Sequence, residues 1–176
     1  VGASRGGAGV STYIADIGNA EEVALTSSGG MGGAAVGGPL ISIVPRTGGN
    51  TFKGAAYLSF VPEAWVGSNY SEALRLAGLA TPGSLLEQWH FSAGVGGPIK
   101  QDKLWYYVTG RDEGQYRCIP GMYPNLNAGD NSKWLYVPDT TKQARGAESW
   151  RVFTARLTWQ ATRRDKFNFF WHEQRP

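Results

Sequence analysis

Cysteine is almost absent from this 176-residue chain. Its one instance, Cys118, excludes an internal disulfide and a multi-cysteine metal site, and reads as a structural thiol. Histidine is scarce as well: only His90 and His172 are available for acid–base work or metal ligation. Two imidazoles without a third ligand make a poor metal centre. No apolar run approaches the ~18 residues that a membrane helix needs. That absence leaves membrane strands open, because alternating strands average out in hydropathy; the mean hydropathy of −0.30 therefore decides nothing. The net charge is only +3 and no basic run is longer than Arg163-Arg164, so nucleic-acid binding has no footprint. The chain opens Val1-Gly2-Ala3, with neither an initiator Met nor a signal peptide, and closes just after a strand pattern; both ends read as cuts in a longer protein.

What the chain has is glycine, 25 residues, and aromatics, with 7 Trp, 8 Tyr and 7 Phe. That mixture suits β structure with turns and aromatic girdles better than a helical bundle. Three tight turns are legible, at 46–50, 98–103 and 161–166, the first from Thr47-Gly48-Gly49-Asn50, which tolerate positive φ. Strand patterns cover 22–26, 40–44, 51–61, 88–96, 104–111, 149–160 and 167–172, with Pro45 ending the pairing of the second. Two stretches without strand pattern, 62–87 and 112–147, are far longer than ordinary connections. Short turns alternating with long loops are the building rule of an outer-membrane β-barrel. Within the first long loop, Ser71 to Ala77 predicts a short helix capped by Ser71 and stopped near Gly78 and Pro82.

The strand faces are chemically distinct. Phe52, Gly54, Ala56, Leu58 and Phe60 oppose Lys53, Ala55, Tyr57 and Ser59. Trp89, Phe91, Ala93 and Val95 oppose His90, Ser92 and Gly94. Phe153, Ala155, Leu157 and Trp159 oppose Val152, Thr154, Arg156 and Thr158, while Phe167, Phe169 and Trp171 alternate with Asn168, Phe170 and His172. An apolar face against lipid and a polar face against a wet lumen give this pattern, and so does a soluble sheet packed on one side. Leu104 to Arg111 is strongly β-prone, but its faces are too alike to orient. Asp-Lys followed by an aromatic strand occurs twice, at 102–106 and 165–169, as a repeated hairpin device.

Three blocks carry a family resemblance: Glu22 to Thr26; Ile43-Val44-Pro45-Arg46-Thr47-Gly48-Gly49-Asn50-Thr51-Phe52-Lys53-Gly54; and Gly96-Gly97-Pro98-Ile99-Lys100-Gln101-Asp102-Lys103-Leu104-Trp105-Tyr106-Tyr107. Together they resemble a TonB-dependent outer-membrane receptor of the type with an N-terminal carboxypeptidase-regulatory-like domain. The resemblance implies an all-β fold: residues 1–50 as the C-terminal part of a plug domain, and 51–176 as the first antiparallel strands and extracellular loops of a β-barrel. It implies active transport of an unidentified extracellular ligand across the cell outer membrane of a Gram-negative type bacterium. The implied partners are the remainder of the barrel, outer-membrane lipid, and a TonB-type energy-transducing protein reached through N-terminal parts not in this sequence; nucleic acid is not among them. Barrels of that family have roughly 22 strands, and the five candidates here cannot close.

No catalytic, cofactor-binding or metal-binding residue is assigned, and no enzyme activity is expected. Gly30-Met31-Gly32-Gly33-Ala34-Ala35 imitates a dinucleotide fingerprint, but Gly37-Gly38-Pro39 opposes the helix that the fingerprint needs, so 29–38 reads as a plug loop. Asn125, Asn127, Asp130 and Asn131 lack calcium-loop spacing. The loop aromatics Tyr116, Tyr123, Trp134 and Tyr136 suit ligand stacking at an extracellular mouth. Two rival readings stay open: a soluble β-rich binding domain without catalysis, and a small hydrolase using His90 or His172.

Overall fold

A computed structural model describes residues 20–26 and 40–176. The described residues are all-β and form two antiparallel sheets. The smaller sheet pairs β1 (Ala20–Thr26) with β2 (Leu40–Pro45). Its register runs from Thr26 opposite Leu40 to Ala20 opposite Pro45, with a shift between Ala20 and Glu22. Pro45 is thus the last paired residue of its strand, a terminal position where a missing N–H is tolerated.

The larger sheet is a meander of β3 (Lys53–Pro62), β4 (Leu85–Lys100), β5 (Leu104–Cys118), β6 (Arg145–Gln160) and β7 (Lys166–Arg175), in that spatial order. It is open, with β3 and β7 at its edges. The β4–β5 and β6–β7 connections are tight. The first is closed by Lys103 N–H donating to the Lys100 carbonyl, with Asp102 in the left-handed region at φ 57°. The second is closed by Ala161 N–H donating to the Asp165 carbonyl and by Thr162 Oγ1 donating to Asp165 Oδ2 at 2.5 Å. Residues 63–84 and 119–144 make the two long connections, so short and long links alternate as expected.

Three sequence expectations need adjustment. The segment 46–50 is not a hairpin turn: β2 and β3 lie in different sheets, and the segment passes the chain between them. None of Thr47, Gly48, Gly49 and Asn50 has a positive φ; what Gly48 supplies is close approach, since a Cβ there would stand 2.2 Å from the Tyr106 carbonyl oxygen. The central strands are also longer than 88–96, 104–111 and 149–160. Glu113, Gln115 and Arg117 look like loop polarity in the sequence, yet they extend β5, where Gln115 and Arg117 meet Glu148 of β6. The short helix is α1 (Glu72–Leu76): Ser71 accepts from Leu74 N–H as its N-cap, and Gly78 follows at φ 101°.

The chain divides into two units. The first comprises residues up to Ala56, Ser92–Arg111 and Arg151–Arg175; the second comprises Tyr57–Phe91, Asp112–Trp150 and Pro176. In the first, β6 and β7 place Phe153, Ala155, Leu157 and Trp159 opposite Glu173, Trp171, Phe169 and Phe167. Phe169 is 56% exposed and Trp171 64%. The other face pairs Val152 with Gln174, Thr154 with His172, Arg156 with Phe170 and Thr158 with Asn168. Here Val152 keeps 3% exposure and Thr158 4%, and on β5 Tyr107 and Thr109 are buried. Large rings stand in the open on the face of Trp159 and Phe169, Phe170 on the other face is exposed as well, and the covered residues are Val152 and Thr158 with Tyr107 and Thr109. The same unit exposes Phe52, Val95 and Ile99. In the second unit Leu58, Phe60 and Phe91 are exposed.

Candidate functional site

The most elaborated polar arrangement lies in the first unit, where the chain leaves β2. Arg156, on the polar face of β6, donates from Nη1 to the Pro45 carbonyl at 2.9 Å, and its guanidinium lies over the Phe170 ring. Arg46 donates from Nε to the Ala20 carbonyl at 3.2 Å, tying the start of the segment back to β1. Asn50 then reaches the β4–β5 turn: its Oδ1 accepts from Asp102 N–H at 3.0 Å and from Trp105 Nε1–H at 2.7 Å, and its Nδ2 donates to Asp102 Oδ1 at 2.6 Å. An open cleft of about 290 Å³ lies beside this segment, lined by Thr47, Gly48, Gly49, Asn50, Trp105, Thr158, Lys166 and Asn168. Thr158 Oγ1 donates to Asn168 Oδ1 at 3.0 Å, and the Lys166 ammonium lies over the Trp105 ring. The cleft is small, lined about equally by polar and apolar surface, and built around close backbone approach at Gly48.

In the second unit the polar groups form cross-strand pairs. His90 Nδ1 lies 3.7 Å from Glu113 Oε2 and its ring packs edge-on against Tyr57. Glu148 accepts from Gln115 Nε2 at 3.0 Å and from Arg117 Nη2 at 2.9 Å. Trp89 Nε1–H donates to Asp112 Oδ1 at 2.6 Å, and its ring fills the space above Gly114.

The loop 119–144 is held by its own hydrogen bonds. Asn125 Oδ1 accepts from Asn127 N–H and Val137 N–H, Asn127 Nδ2 donates to the Leu135 carbonyl, and Tyr136 Oη donates to the Tyr123 carbonyl. Hydrogen bonds from Ser132 hold the Asp130 carboxyl below its ordinary value, and those from Thr141 do the same for Asp139; Lys133 and Lys142 add to the effect. Of the four loop aromatics singled out in the sequence, Trp134 is 95% exposed. Tyr116 belongs to β5, not to the loop, and packs between Trp89 and Arg145.

His90 and His172 serve different partners: His172 Nδ1 meets Thr154 Oγ1 at 3.1 Å. Among the described residues no group of three or more His, Cys, Asp or Glu is placed to hold a metal ion. Cys118 is a free thiol. The plug-loop expectation for 29–38, and with it the imitation fingerprint, lies outside the described residues. So does Gly2-Ala3-Ser4-Arg5-Gly6, which has the letters of a nucleophile elbow. The residues sequence reasoning missed are Asn50, Trp105 and Arg156. Asn50 read only as a turn former, and nothing in the linear pattern joins it to position 105. No protein-family model, curated protein or solved structure matches the chain.

Proposed function

We propose that the chain is part of an outer-membrane active-transport receptor of the TonB-dependent type, with β1–β2 as the end of its plug and β3–β7 as the first strands of its barrel wall. The carrying observation is the face of β6–β7 on which Phe153, Trp159, Phe167, Phe169 and Trp171 are all exposed, while Val152 and Thr158 on the opposite face are covered. Lipid is the solvent for which such a face is the ordinary solution. Two further features support the reading. The short and long connections alternate, and the segment leaving β2 is seated on the polar face, where Arg156 holds the Pro45 carbonyl. An open sheet edge is not tolerated in lipid, so the wall is completed by further strands of a longer protein. In this reading an extracellular ligand binds loops and plug, an inner-membrane partner supplies the energy that displaces the plug, and no covalent chemistry occurs.

The test is the location and intact mass of the native polypeptide. A chain several times heavier than 19.0 kDa, recovered in the outer-membrane fraction, is the expected result. A native chain of that mass that is soluble and monodisperse without detergent overturns the reading and makes a soluble β-rich binding domain the better one.

A further inference from the structure

We infer that Gly48 to Phe52 is a fixed anchor that lets β1–β2 leave the polar face without disturbing the wall strands. Within five residues the chain hooks around the turn end of β4–β5. Gly48 lies on the backbone of Tyr106 so closely that a Cβ would stand 2.2 Å from its carbonyl oxygen. Asn50 directs its whole amide at the turn, accepting from Asp102 N–H and Trp105 Nε1–H and donating to Asp102 Oδ1. The left-handed backbone of Asp102 shapes the turn that receives it. Phe52 then lays its ring on Gly97, where a Cβ would stand 2.4 Å from the ring. These are backbone-to-backbone, amide-to-turn and ring-to-glycine contacts on three successive surfaces.

β1–β2 is held differently. Val23, Leu25, Ile41 and Val44 are exposed, and the strand joins the wall through the Arg156 guanidinium on the Pro45 carbonyl. A hydrogen bond at the end of an exposed two-stranded sheet opens more easily than an interlock, so local opening stops at Gly48. The purpose of such an anchor, to confine a plug's displacement and spare the barrel, rests on the proposed function. The anchor itself is read by hydrogen exchange, which proceeds wherever the protein resides; failure of the membrane reading therefore leaves it standing.

Hydrogen–deuterium exchange on the full-length protein tests it. The wild type is expected to exchange β1–β2 amides at least ~10-fold faster than the hydrogen-bonded amides next to the anchor, in Lys53–Ala56 of β3 and in the turn at 101–103. Asn50→Ala should speed exchange of the amides of Lys53–Ala56 and of the turn at 101–103 by about tenfold, leaving β6–β7 unchanged. Asn50→Asp keeps both accepted bonds but sets a carboxylate against Asp102. After correction for intrinsic exchange, its amides in Lys53–Ala56 and 101–103 should be fast at neutral pH and slow again toward about pH 4, as one carboxyl protonates. A single common rate for β1–β2 and for Lys53–Ala56 with the 101–103 turn in the wild type overturns the anchor, as does an Asn50→Ala protein in which those latter amides are unchanged. Where Asn50→Ala fails to fold, an Asn50→Asp protein without the pH response does the same.

Discussion

Gly96 and Gly110 show how differently one residue type is used along the larger sheet. A Cβ at Gly96 would stand 2.3 Å from the Tyr107 ring and 2.7 Å from the Tyr106 carbonyl, whereas nothing lies within 4 Å of one at Gly110. Gly96→Ala must therefore displace a buried tyrosine, and is expected to destabilise the fold by about 1–3 kcal/mol. Gly110→Ala is expected to be neutral or slightly stabilising, since it only narrows the unfolded ensemble. Thermal unfolding of the two variants side by side checks the contrast. Acid response is also decided by single residues, in the 119–144 loop. The Asp139 carboxyl is held below its ordinary value chiefly by Thr141, so it protonates more readily in the unfolded chain than in the folded loop. Its contribution to loop order is fully present above about pH 4 and is lost as the pH falls through the lowered folded value. Thr141→Ala should raise the Asp139 titration midpoint toward the ordinary carboxylate range; an unchanged midpoint in a carboxyl NMR titration contradicts the assigned cause.

The strand is the scale at which the two main readings give opposite signs. Phe169 is exposed on β7 directly opposite Leu157 on β6. If that face meets lipid, Phe169→Arg costs about 2–4 kcal/mol near the bilayer midplane and lowers the folded fraction in detergent or liposomes. If the face meets water, the same change stays within about ±0.5 kcal/mol and improves solubility. Refolding yield of the variant decides between them, with a cost in the lipid direction expected. Element boundaries follow from the same physics. The hairpin turns read at 98–103 and 161–166 were legible because Asp, Lys, Thr and Arg interrupt aromatic alternation there, though the structure confines them to 101–103 and 161–165, with Pro98–Lys100 in β4 and Lys166 in β7. The far ends of β5 and β6 were not legible, because Glu113, Gln115, Arg117 and Glu148 carry no apolar period. They are strand because partners across the ladder meet them: Gln115 and Arg117 donate to Glu148 of β6, and Glu113 faces His90 of β4.

At the scale of the whole molecule, the larger sheet has two open edges, β3 and β7, and a face of exposed rings. Both features drive association in water. The 176-residue polypeptide on its own is expected to associate in detergent-free buffer and to disperse in detergent; a monodisperse 19.0 kDa particle in light scattering without detergent contradicts this. Composition and alternation by themselves determined the all-β class, the alternation of short and long connections, the Ser71-capped helix and the two unlike faces of 51–61, 88–96 and 149–160. These are local properties, written in a period of two and in turn chemistry. Only the tertiary structure decided which face of β5 is covered, since Tyr107 and Thr109 differ little in kind from Tyr106 and Val108 and only neighbouring strands distinguish them. It also decided that 46–50 joins two sheets instead of closing a hairpin, because pairing partners are chosen by the whole ladder. Finally, it joined Asn50 to Asp102 and Trp105 across more than fifty residues, a contact that no local pattern records.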